Sequence, residues 1–150
     1  MLKIRNQGLL ARRFGVAAMA LLICAGPVSA ADSSDAATDK AKAVAAGWLL
    51  ELDAGQYEKS WSDAAPAIQH AVSRAEWASK IAQVRGPFGA MVARELQDAT
   101  YTHSLPGAPD GDYVVIRYHT SFANKADATE TVTPMKTSDG LWHVSGYYVR

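Results

Sequence analysis

The chain has 150 residues, 49% of them hydrophobic, with 15 basic and 15 acidic side chains and a formal net charge of zero. Four of the basic residues (Lys3, Arg5, Arg12, Arg13) and none of the acidic ones lie in residues 1–30, so residues 31–150 carry 11 basic against 15 acidic side chains, a net charge of −4. Scattered cations on an acidic background exclude a phosphate-binding stripe for nucleic acid or anionic lipid, and the single cysteine, Cys24, excludes an internal disulfide.

Residues 1–30 read as an export signal. The four cations come first, residues 14–25 form an apolar run, and Val28-Ser29-Ala30 places small residues where a signal peptidase reads. The run is too short for a permanent membrane span. We expect cleavage after about Ala30, an exported and periplasmic product, and no thiol in it. A lipid anchor at Cys24 is disfavoured because Ile23 stands where such signals need a small residue. Arg12-Arg13 do not by themselves identify the export route.

Residues 31–38 are small and polar and read as a flexible leader. A single domain over residues 39–150 follows, and it opens on three helical patterns. In the first, Ala41, Val44, Ala45, Trp48, Leu49 and Leu52 recur at helical spacing, and Gly55 ends it. The second starts near Gln56, with Tyr57, Trp61, Ala65, Ile68 and Val72 as its stripe. Pro66 predicts a kink or a restart within it. The third begins with Ser73-Arg74-Ala75-Glu76, a capping box, and buries Trp77, Ile81 and Val84. Residues 86–89, Gly-Pro-Phe-Gly, stop it.

The period then changes from helical to two. Residues 90–104 alternate in two opposed phases, with Val92, Arg94 and Leu96 in one and Ala99, Tyr101 and His103 in the other. A β-bulge near Gln97-Asp98 reconciles them. Residues 113–122 give the clearest strand, with Val114, Ile116, Tyr118 and Phe122 on one face. A turn is expected over residues 124–127 and a third strand over 129–136, where Pro134 argues for an edge or a bulge. A hairpin loop at 137–140 leads to a fourth strand over 141–149. Helices followed by turn-linked strands predict an α+β fold: three helices packed on a curved four-stranded antiparallel sheet.

Certain blocks resemble known sequences. Residues 48–55 (Trp-Leu-Leu-Glu-Leu-Asp-Ala-Gly), then Tyr57 and Trp61, are similar to the opening of cone-shaped domains of the nuclear-transport-factor-two-like kind. Ser73-Arg-Ala-Glu-Trp77, Arg85-Gly-Pro-Phe-Gly89, the run over residues 105–116, Glu130-Thr-Val132 and the run over residues 140–148 resemble the exported bacterial family called domain of unknown function 4019. The resemblance implies a sheet curled around a cavity. It implies no activity, because relatives of that fold include enzymes, carriers and interaction domains.

The chemistry legible in the residues is sparse. The four histidines, His70, His103, His119 and His143, show no helical i,i+4 pair and no third ligand, so no metal or cofactor is expected. No Gly-x-Ser-x-Gly elbow accompanies the serines. Acid–base chemistry in a cone cavity is the enzyme alternative, with Asp53, Glu130, Tyr118 and Tyr148 as candidates. Each has a plainer role: Asp53 at a helix end, Glu130 exposed on a strand or paired with Arg117, the tyrosines in a sheet core with rim hydroxyls.

Arg85 fits the last turn of a helix, where the dipole favours a cation. It could instead cap the cavity mouth and pair with an anionic ligand. The favoured reading is a non-catalytic module for a small molecule or an envelope protein, its cavity lined by Trp61, Tyr118, Trp142 and Tyr148 beside Arg85. The outer sheet face, with Tyr113, Val115, Arg117 and His119 on one strand and Leu141, His143, Ser145, Tyr147 and Val149 on another, suits a partner or a homodimer.

Overall fold

The computed structural model describes residues 30–150; the signal reading and Cys24 lie outside the described residues. The elements are α1 (Ala30–Asp53), α2 (Tyr57–Ser62), α3 (Pro66–Ala71), α4 (Arg74–Arg85), a 3-10 turn (Gly86–Phe88), β1 (Met91–Thr102), β2 (Tyr113–Phe122), β3 (Lys125–Lys136) and β4 (Trp142–Val149). No helix among the described residues is long and apolar enough to cross a membrane.

Helix α1 takes in residues 31–38, the stretch expected as a leader. Its alanines favour helix and carry no side chain large enough to hold it elsewhere. Ala41, Ala45, Trp48, Leu49 and Leu52 are buried along one face, and α1 touches all four strands. Gly55, at φ +70°, closes the helix, and the amide of Gln56 donates to the Glu51 carbonyl at 2.8 Å.

Three helical patterns were expected, and the described residues form four α-helices. Pro66 starts a helix of its own: Ala65 is extended at φ −60°, ψ 149°, and the proline occupies the first helical turn, where a missing amide costs nothing. The capping box at Ser73 and Glu76 is present, with both reciprocal bonds made.

The sheet is an antiparallel meander in the order β1-β2-β3-β4. Four register irregularities interrupt it, one of them between Thr120 and Phe122 where β2 meets β3, and the other three set the side-chain phases of β1 and β4. On β1, Leu96 pairs with Tyr118 and Asp98 with Arg117, which leaves Gln97 as the extra residue at the expected bulge. A second extra residue, Val92, stands between Met91 and Ala93 and is exposed, not inward with Arg94. On β4, Val144 pairs with Pro134 and Gly146 with Thr133, so Ser145 is the bulged residue. Pro134 therefore sits opposite a bulge in an interior strand. A single extra residue flips every later side chain to the other face. For that reason Tyr147 and Val149 turn inward, against the outer-face expectation. The β2–β3 connection is also tighter than expected: β3 begins at Lys125, within the predicted 124–127 turn.

The core joins Trp48, Leu49, Leu52, Ile81, Val114, Ile116, Val132, Trp142 and Val144. The free edge of β4 is partly covered by the α2–α3 link, where the Ala65 amide donates to the Val144 carbonyl at 2.8 Å.

Candidate functional site

Six elements each send one polar side chain to a single point. Asp53 is the last residue of α1 and Arg85 the last of α4; Arg94 comes from β1, Thr120 from β2, Glu130 from β3 and Tyr147 from β4. Glu130 is 0% exposed and Arg85 4%. Glu130 Oε1 accepts from Arg85 Nη1 at 2.8 Å and from the Tyr147 hydroxyl at 2.6 Å. Its Oε2 accepts from Arg94 Nε at 2.6 Å and from Thr120 Oγ1 at 2.7 Å. Asp53 Oδ1 accepts from Arg85 Nη2 at 2.6 Å and Arg94 Nη2 at 2.9 Å, and its Oδ2 from Arg94 Nη1 at 2.7 Å.

Two carboxylates thus face two guanidiniums, and the cluster is neutral. Buried charges survive only when paired and hydrogen-bonded in this way. Burial pushes the Asp53 carboxyl up, but the Arg94 and Arg85 guanidiniums outweigh it and hold the group below its ordinary value. Burial and the neighbouring Glu130 charge push the Tyr147 hydroxyl up, so it stays a neutral donor. The Arg85 guanidinium also lies 5.0 Å from the centre of the Phe122 ring. Beside the cluster, the ends of α1 and α4 and the start of β1 border a cleft of about 380 Å³, to which Leu52, Asp53, Tyr57, Arg85 and Met91 contribute.

The expected site residues are dispersed. Arg85 is in the cluster, paired with the chain's own carboxylates. Tyr118 is buried nearby; burial pushes its hydroxyl up, with Arg94 and Glu130 acting on it in opposite directions. Trp142 lies in the apolar core. Trp61 lies on α2, where its indole N–H donates to the Val72 carbonyl at 2.9 Å and Arg74 stacks 5.3 Å from the ring centre. Tyr148 is 59% exposed; the Ser145 bulge gives its expected inward place to Tyr147.

Glu130 does not pair with Arg117, which bonds Asp98 at 2.8 Å instead. His119 meets Asp127 at 3.1 Å, and His143 Nδ1 lies 3.2 Å from the Asp63 carbonyl, so the three expected interface residues have separate local partners. Arg94, Thr120 and Tyr147 are the cluster members the residues alone did not single out. The alternation set Arg94 on one face with Val92 and Leu96, but both of those are exposed, so it did not mark Arg94 as the inward member.

A family model described as a protein of unknown function, DUF4019, matches residues 44–147, a span that contains all six cluster residues. The chain belongs to that family. No curated protein matches it.

Proposed function

We propose that this DUF4019 member is an exported binding module that works without catalysis, built as a nuclear-transport-factor-two-like cone and engaging a small molecule or an envelope protein from its surface clefts. The bulges in β1 and β4 support the cone, because bulged strands bend and twist more strongly. The charge order, apolar run and small-residue site of residues 1–30 support export.

One observation carries the non-catalytic reading. Both carboxylates of the cluster are held by guanidiniums, Glu130 accepts four hydrogen bonds, and the half-buried Glu51 carboxylate is held outside the cluster by Lys59. A general base needs a free lone pair and an affinity for protons near the working pH. Asp53 is held the other way, toward permanent ionisation. The aromatic rings of Trp48, Tyr147 and Trp77 also occupy interior space, Trp48 meeting the other two in tilted contacts at ring separations of 5.6 and 6.1 Å. Binding is therefore left to the clefts.

The test is native mass spectrometry of the protein purified gently from the exported fraction. We expect a chain that begins near Ala31 and carries a reproducible extra mass, either a small molecule or a partner chain, lost on denaturation. A bare monomer in every preparation, or a chain that keeps Met1 and stays in the cytoplasm, would contradict the proposal.

A further inference from the structure

Away from the charged cluster, α1, the end of α2 and the start of β4 border a second cleft of about 340 Å³. Val44, Trp48 and Trp142 give it apolar lining; Glu51, Asp63 and His143 give it polar lining. Two features of this cleft bear on what it could hold.

The first is Gly47. It stands inside α1, where glycine is unfavourable relative to alanine. No turn requires it, and a Cβ there would meet nothing within 4 Å. Gly47 is exposed and lines the cleft, so a larger side chain there would project from the cleft wall. The second is Glu51. Its Oε2 is the only buried side-chain nitrogen or oxygen among the described residues that has no hydrogen-bond partner. Native proteins rarely leave such an acceptor unpaired. Its other oxygen takes Lys59, whose ammonium is shared with Asp63. The carboxylate pair thus already holds one ammonium from the solvent side. Asp139, outside the lining, meets the lining residue His143 at 3.7 Å and adds negative charge nearby. Burial raises the Glu51 carboxyl, as do a carboxyl–carboxylate hydrogen bond to Asp63 and the Asp63 charge, a repulsion that a bound ammonium would relieve.

We propose that this cleft binds a small organic ammonium compound, its nitrogen donating to Glu51 and Asp63 and its hydrocarbon body lying along Val44, Trp48 and Trp142 in the space that Gly47 leaves. An ammonium supplies the donor that Glu51 Oε2 lacks, and indole rings favour a cation with an apolar body over a hydrated ion. The inference names a ligand class for the binding role proposed above and rests on it.

The probe is 2-phenylethylamine, with 2-phenylethanol as the uncharged control, followed by tryptophan fluorescence and calorimetry on the purified protein. We expect saturable binding of the amine, and binding of the alcohol roughly tenfold weaker or more, as for loss of a buried charged hydrogen bond. Gly47→Leu should abolish binding while the protein stays folded, because leucine is the better helix former. Gly47→Ala should weaken binding and raise the melting temperature, a pairing of effects that general damage would not produce. Glu51→Gln should weaken binding without unfolding the chain. Equal binding of amine and alcohol, or unchanged binding in Gly47→Leu, overturns the site. Absence of any amine binding while the native spectrum keeps its extra mass overturns this inference and leaves the binding role standing.

Discussion

Glu130 owes its burial to four donors arriving from four different elements, and the weight of each can be measured. Tyr147→Phe removes one of them and leaves Oε1 with a single partner. Unfolding in urea should show a loss of about 1–3 kcal/mol, the usual cost of stripping a partner from a buried charged acceptor. Tyr148→Phe, one residue on and exposed, should fall within about 0.5 kcal/mol of the wild type.

Asp53 sets the response to acid. Its carboxyl lies below the ordinary value of 3.8 in the folded chain, so its stabilisation is present above that value and lost as pH falls through the lower, folded one. Asp53→Asn should therefore be much less stable than the wild type at neutral pH, and the gap should narrow below about pH 4 in pH-dependent urea melts. A constant gap across that range would contradict the assignment. Asp53, Arg85 and Glu130 were each noticed in the sequence. Their partnership was not legible, because Arg85 lies 32 positions from Asp53 and 45 from Glu130.

At the scale of elements, local chemistry was readable and phase was not. The Ser73 capping box was visible as a four-residue pattern and forms as such. Ser73→Ala should cost about 1 kcal/mol in thermal or urea unfolding, and an unchanged stability would mean that α4 is held by packing alone. The bulge at Gln97 was legible because two opposed alternations met there. The Ser145 bulge was not. Tyr147 and Tyr148 are chemically alike, so hydrophobic pattern could not say which one faces inward. Pro66 announced a break, but not that the segment after it would pack beside β4.

Across the whole molecule, the antiparallel meander and the helices before it follow from the change of period near Gly89. What the composition concealed is that one end of the interior is ionic. The apolar residues fill the space between α1 and the sheet, while the cluster ties the ends of α1 and α4 to all four strands. A neutral quartet of this kind is vulnerable to the loss of one member and tolerant of the loss of a matched pair. Removal of one partner leaves an uncompensated buried charge, whereas apolar replacement of both is often nearly neutral.

The central claim is that these charges serve one another. The most direct measurement is a double-mutant cycle in urea with Arg94→Met, Glu130→Leu and the two combined. Each single substitution should cost about 3–5 kcal/mol, and the double should cost far less than their sum, because Asp53 and Arg85 remain as a matched pair. Costs that add to within about 0.5 kcal/mol would contradict the account, since independent charges would be free to serve a ligand instead.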